Sequence, residues 1–205
     1  MSSKMGKDWI KKHKKEKFYK QAQEEGMRSR AAYKLRQIQK KFQILNNANQ
    51  ILDLCCAPGS WVEEIKQQSN EISIVGVDIV KMSPIEGVIF VQGDIRDESI
   101  INKLEKNLVK DVDVILGDCA PKFTGSKETD YARQNFLVER VLLITSHFLK
   151  KRGHLVCKLF DGDHTKKLRE QLSQKFEKIH LFKPEASRKT SPEVYIVGKY
   201  YKKAS

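Results

Sequence analysis

The run Asp53-Leu54-Cys55-Cys56-Ala57-Pro58-Gly59-Ser60-Trp61 carries the first chemical signal in this chain. It follows the apolar pair Ile51-Leu52 and precedes the amphipathic stretch Val62-Glu63-Glu64-Ile65. That order reads as strand, tight turn, helix, with the turn at the carboxyl end of a strand, where open α/β sheets bind ligands. Gly59 is expected to let a ligand approach the backbone, since no side chain stands in the way. A second apolar strand ends in Asp78, 25 positions after Asp53 and about one β-α-β step away. Asp78 is therefore placed to reach the ribose of a nucleoside lying over the turn. A third apolar run, Val88-Ile89-Phe90-Val91, leads to Gly93-Asp94, and Asp94 is placed to accept from an adenine amino edge. Taken singly, Asp78 or Asp94 could merely cap the element that follows. Around one turn they point to a nucleoside.

The turn is poor in glycine. A dinucleotide fold wants G-x-G-x-x-G to hold a pyrophosphate at a helix N-terminus. Here Pro58 and the bulky Trp61 crowd the phosphate positions. Adenine and ribose without phosphate fit better, which points to S-adenosyl-L-methionine. A nicotinamide oxidoreductase would use the same sheet but needs the missing glycines.

Two later strand ends add reactive groups. Val112-Asp113-Val114-Ile115-Leu116-Gly117 runs into Asp118-Cys119-Ala120-Pro121 over the same crevice. The next strand, His154 to Phe160, sets Lys158 among apolar neighbours, which costs desolvation unless the amine is paired or deprotonated. Glu193 opens the final strand and by itself would read as a surface acid.

These groups need a scaffold, and hydrophobic patterning supplies one. Strands are expected near 50–55, 72–78, 88–92, 112–117, 153–160, 177–182 and 193–201. Helices are expected near 60–69, 97–108, 131–150 and 164–175, with an earlier one over 29–42 that Ser29 would cap. Alternation of this kind argues a seven-stranded, mostly parallel sheet with helices on both faces. The last two strands lack a helix between them and should form an antiparallel pair at the C-terminal edge.

The 205 residues suit one domain with a full core, and the net charge of +13 favours a polyanionic partner such as RNA. Residues 1–25 form a basic arm, lysine-rich with Trp9, Phe18 and Tyr19 interleaved; residues 26–205 form a single domain. Cys55, Cys56, Cys119 and Cys157 lack metal-site spacing and are expected as free core thiols of a reducing compartment. No apolar run approaches the ~20 residues of a membrane helix, and the N-terminus carries no secretory core. The expectation is a cytoplasmic monomer without metal, membrane or DNA.

Arg28-Ser29-Arg30-Ala31-Ala32-Tyr33-Lys34-Leu35, Asp53 to Trp61, Asp118 to Pro121, Lys158-Leu159-Phe160 and Ser187-Arg188 through Tyr195 resemble the FtsJ (RrmJ) family of RNA ribose 2′-O-methyltransferases. The resemblance runs from about Phe18 to Tyr200. It implies a Rossmann-like class I methyltransferase fold, S-adenosyl-L-methionine as methyl donor, and a catalytic tetrad at Lys34, Asp118, Lys158 and Glu193. It implies cofactor contacts at Gly59, Trp61, Asp78, Asp94 and Asp118. Arg28, Arg30, Lys34, Arg188 and Lys189 flank these motifs and are expected to contact RNA phosphates. Cys55, Cys56, Ser60 and Cys119 depart from the family pattern, but all are small and should leave the pocket intact.

A ribose hydroxyl is a poor nucleophile at neutral pH, so the reaction needs close positioning and a base. Lys158 is the candidate base; positioning the hydroxyl as a cation is its other possible role. Phe123-Thr124-Gly125, Tyr131-Ala132-Arg133 and Ser191 to Val197 look closer to the family's ribosomal RNA branch, whose usual target is a large-subunit uridine. A tRNA anticodon-loop branch is the alternative, a cap methyltransferase is more distant, and a non-catalytic RNA-binding module would leave the tetrad unexplained.

Overall fold

The computed structural model describes residues 28–108, 111–188 and 190–203. Seven strands run in the order β3-β2-β1-β4-β5-β7-β6: β1 (Gln50–Leu54), β2 (Ser73–Asp78), β3 (Val88–Gln92), β4 (Val112–Gly117), β5 (Leu149–Phe160), β6 (Phe176–Phe182) and β7 (Glu193–Tyr201). The pairings β3-β2-β1-β4-β5 are parallel; β7 is antiparallel to both β5 and β6. Strands are added outward from β1 to β2 and β3 on one side and to β4 and β5 on the other, so the carboxyl ends of β1 and β4 face one crevice at this switch point.

Alternation along β1 sends Ile51 to one face and Leu52 and Leu54 to the other. Helices α1 (Ala31–Phe42) and α2 (Ser60–Gln68) cover the Ile51 face, where Leu35, Ile38, Trp61 and Ile65 pack on Val114, Leu116, Val156 and Tyr195. Helices α3 (Ser99–Glu105), α4 (Lys127–Phe148) and α5 (Asp163–Lys175) cover the other, through Ile100, Leu104, Val141, Ile144 and Leu172. The central strands are buried on both faces, as parallel strands are.

Several boundaries differ from the sequence reading, and three of them have a local reason. Helix α1 starts two residues later than expected, and Ser29 Oγ accepts from the Ala31 N–H at 3.1 Å just outside it. Helix α4 begins at Lys127 because Ser126 Oγ accepts from Thr129 N, a side-chain cap hidden among other polar residues. Strand β5 takes up the chain directly after α4, with Arg152 in the left-handed region (φ 66°) near a register shift against β4. The expected edge pair is antiparallel, but β7 lies inside it, between β5 and β6. The basic arm of residues 1–25 lies outside the described residues. Among the described residues no helix is long and apolar enough to cross a membrane.

One expectation is corrected outright. Cys55 and Cys119, read from the sequence as free core thiols, form a disulfide with a Cα–Cα distance of 5.1 Å. Leu54 pairs with Gly117 in register, so the residues just past those two strand ends meet at a separation a disulfide can span. Cys56 and Cys157 are free and buried, as expected.

Candidate active site

The turn after β1 is held from several sides. Its Ala57–Pro58 bond is cis, and Gly59 sits at φ 101° as the residue before α2. A Cβ on Gly59 would lie 2.7 Å from Met82 Sδ and 2.9 Å from Ile85 Cδ1. The glycine is thus required by backbone conformation and by its own neighbours, a reason the sequence reading did not give. Asp78 accepts from Ala57 N at 2.9 Å and from Val80 N at 2.8 Å, locking the turn to the end of β2. Arg28 is braced on the same turn, donating to Glu63 Oε1 (2.5 Å) and to Pro58 O (2.9 Å). It is engaged with protein on these contacts, whereas the sequence assigned it to RNA.

The crevice beside this turn measures about 710 Å³. Its polar walls are Asp78, Asp94 and Asp118 with Arg96, Lys122 and Arg133; its apolar walls include Ile79, Ile95, Pro121 and Leu137. Asp94 is clasped by Arg96 Nε at 2.9 Å and Nη2 at 2.6 Å, and that bond holds its carboxyl below the usual range. The size suits a nucleoside-sized ligand. Asp53 is the residue the sequence reading passed over. It is 1% exposed, its Oδ2 has no hydrogen-bond partner, and it lines a small inner recess with Cys55, Trp61 and Asp118. Burial, with Asp118 and Asp78 nearby, pushes the Asp53 carboxyl well above its ordinary value. An orphaned buried carboxyl among other acids calls for a cationic ligand group. A sulfonium and an ammonium on an adenosine frame meet that demand, and a pyrophosphate would be repelled. The donor set fits S-adenosyl-L-methionine.

Trp61, expected at the cofactor, is buried: its Nε1 donates to Ala31 O at 2.8 Å and its ring lies 5.8 Å from that of Tyr195. It ties α1 to α2, as does Arg36, whose guanidinium makes two bonds to the buried Glu64 (3.0 and 2.8 Å). That docking carries Lys34 to the mouth of the crevice.

Lys34, Asp118, Lys158 and Glu193, scattered over the sequence, come together there. Lys158 Nζ lies 3.1 Å from Asp118 Oδ1 and donates to Asp118 O at 2.6 Å. Lys34 Nζ lies 3.5 Å from Glu193 Oε2 and 5.7 Å from the centre of the Tyr195 ring. Both lysines are buried, at 7% and 4% exposure. Tyr195 OH donates to Asp118 Oδ1 at 2.5 Å. Burial pushes the Asp118 carboxyl up, but Lys158, Lys34 and the Tyr195 hydroxyl outweigh it and hold the group below its ordinary value. Burial and the adjacent Asp118 push the Tyr195 phenol well up, so it stays a donor. Gln134, fully buried on α4, donates to Lys158 O (2.9 Å) and Cys119 O (3.3 Å), bridging the two strand ends. Tyr195 and Gln134 were not assigned roles from sequence. Tyr195 sits two residues from Glu193 on β7, while Gln134 on a helix gave no signal.

Arg30 stands near both Arg188 and Glu193: burial and the Arg188 charge hold the Arg30 guanidinium below its usual value, with Glu193 opposing. The loop carrying Arg188 is tied to α1 by Gln37, whose Oε1 accepts from Glu185 N at 2.7 Å. Lys189 lies outside the described residues.

Comparison with known proteins adds to this geometry. Residues 27–201 match the family model described as FtsJ-like methyltransferase. A protein of Xylella fastidiosa named ribosomal RNA large subunit methyltransferase E is 41% identical over 198 residues, 96% of this chain and 93% of its own length. A protein of the same name from Methanococcus vannielii is 39% identical over 97% of this chain and 78% of its own. The crystal structure of a putative ribosomal RNA methyltransferase from Plasmodium falciparum superposes with a TM-score of 0.78 at 31% identity, covering 86% of this chain and all of that one. The chain belongs to the FtsJ-like methyltransferase family, and it is an S-adenosyl-L-methionine-dependent methyltransferase.

Proposed function

We propose that the chain methylates the 2′-hydroxyl of a ribose, a uridine of large-subunit ribosomal RNA, with Lys34, Asp118, Lys158 and Glu193 as its catalytic residues. The observation that supports this best is the two-lysine, two-acid cluster at the mouth of a nucleoside-sized crevice. S-adenosyl-L-methionine, when bound, supplies an electrophilic methyl group. Asp78 and Asp94 would hold its ribose and adenine edges, and Asp53 and Asp118 would face its cationic end.

Asp118 holds Lys158 Nζ through its carbonyl and its carboxylate and so aims the amine. Lys158 would act as base only as the neutral amine, its lone pair taking the hydroxyl proton while the ribose oxygen takes the methyl group and the demethylated thioether departs. Lys34, anchored by Glu193, supplies positive charge against the developing oxyanion. Positioning of this kind is worth on the order of 7–11 kcal/mol, and the base a further 10²–10⁴-fold. Arg30, Arg188 and Lys189 would meet the phosphates on either side of the target.

The test is incubation with labelled S-adenosyl-L-methionine and, separately, large ribosomal subunits, free ribosomal RNA and tRNA, followed by mapping of the methylated nucleotide. Label on a large-subunit uridine ribose is the expected result. Label on tRNA or on a base atom overturns the reading.

A further inference from the structure

Phe123 stands out among the exposed side chains near the crevice. It is a large aromatic, 62% exposed, and its ring stacks on Phe160 with centroids 5.8 Å apart and planes at 15°. Phe160 is 3% exposed and is supported from a second side by the edge of Tyr131. Phe160 lies two residues beyond Lys158 on β5 and pairs in register with Glu193 on β7. Phe123 itself follows Asp118 by five positions. One ring face is thus backed by the rigid end of the strand that carries Lys158.

The loop is fixed where it bears this ring. Thr124 donates both its backbone N–H and its hydroxyl to Asp130 Oδ1, each at 2.8 Å. Arg133 donates to Lys122 O at 3.3 Å. Lys122 and Arg133 line the cofactor crevice, and Phe123 does not. The exposed charged side chains close in sequence to Phe123 and Phe160 include the cationic Lys122, Lys127 and Arg133 and the anionic Glu128 and Asp161, so the ring itself is the distinguishing feature. A braced, solvent-facing aromatic beside a ribose-directed cluster has the chemistry of a stacking platform for single-stranded nucleic acid.

We propose that the free face of Phe123 binds a nucleobase of the RNA substrate and thereby sets its ribose against the Lys158–Asp118 pair. This rests on the reading of the substrate as RNA. A residue that only shielded Phe160 from water would be replaced by leucine without loss. A stacking partner needs a flat π face, so tryptophan and tyrosine substitute for it and leucine does not.

The experiment combines Phe123→Ala, Phe123→Leu, Phe123→Tyr and Phe123→Trp in the full chain. The KM for large-subunit RNA should rise about tenfold in the Ala and Leu variants. It should stay near wild type with Tyr and Trp, with S-adenosyl-L-methionine affinity and thermal midpoint unchanged throughout. In Phe123→Trp, adding the RNA should quench indole fluorescence beyond that of Trp9 and Trp61 in the wild type. An unchanged KM in Phe123→Ala, full rescue by leucine, or no added quenching overturns the assignment. Quenching by an RNA that the wild type does not methylate would leave the platform standing and remove the proposed reaction.

Discussion

Lys158 Nζ donates to the Asp118 carbonyl, lies 3.1 Å from its carboxylate and is buried. Its role should therefore show in turnover and not in cofactor affinity. Lys158→Ala should lower single-turnover methylation by roughly 10²–10⁴-fold, with S-adenosyl-L-methionine binding by calorimetry nearly unchanged. Lys158→Arg should fail as well, because a guanidinium stays protonated; near-wild-type rates in that variant would make Lys158 a positioning cation and remove the base. Asp53 makes a different prediction. Its folded carboxyl is raised above its unfolded value, so the stability tied to its protonated form is complete below the ordinary aspartate range. That stability is lost as pH rises through the folded value. Asp118, held below its ordinary value, contributes in the opposite sense and loses its part only as pH falls. Cofactor-free Asp53→Asn should lack the first dependence, so its thermal midpoint should gain on wild type as pH rises above about 4. Its affinity for S-adenosyl-L-methionine should fall roughly tenfold or more, the worth of a charge-assisted hydrogen bond. Parallel midpoint curves for the two proteins would show that Asp53 does not titrate as described.

At the scale of elements, the turn after β1 and the docking of α1 place the site. Gly59→Ala must hold φ 101° and displace Met82 and Ile85. A cost of about 1–3 kcal/mol is expected, a fall in thermal midpoint of roughly 2–4 °C for each kcal/mol in a chain of this size. Cofactor affinity should fall with it, since Asp78 is hydrogen-bonded to the same turn. Trp61→Phe keeps an aromatic ring but loses the bond to Ala31 O. About 1 kcal/mol of stability should go, and with it the seating of Lys34, so kcat should drop more than cofactor affinity. Equal losses in both would mean that Trp61 acts on the cofactor directly.

For the whole molecule, charge sets the approach to RNA. Residues 1–17 carry the seven lysines Lys4, Lys7, Lys11, Lys12, Lys14, Lys15 and Lys17. Deleting them should weaken RNA binding and flatten its salt dependence by up to about 0.7 for each single-strand phosphate that is no longer neutralised. Cofactor binding should be untouched. An unchanged affinity and slope would reduce the arm to a solvated tail.

Much of this was legible in the sequence, for a physical reason. Strand and helix periodicity, the glycine-poor turn after Asp53 and the acids ending β2 and β3 are local features, readable within one β-α-β step. So is Lys158, whose apolar neighbours mark it as buried. The rest depends on pairing across long separations. Lys34 meets Glu193 only because α1 docks on α2 and β7 inserts between β5 and β6. Cys55 finds Cys119, 64 residues away, through the register of β1 on β4. Asp53, a strand residue like its neighbours in the sequence, is singled out once the fold buries it beside Asp118 and leaves one oxygen unpartnered. Local sequence determined the elements and the chemical types; strand order and register decided which side chains share a site.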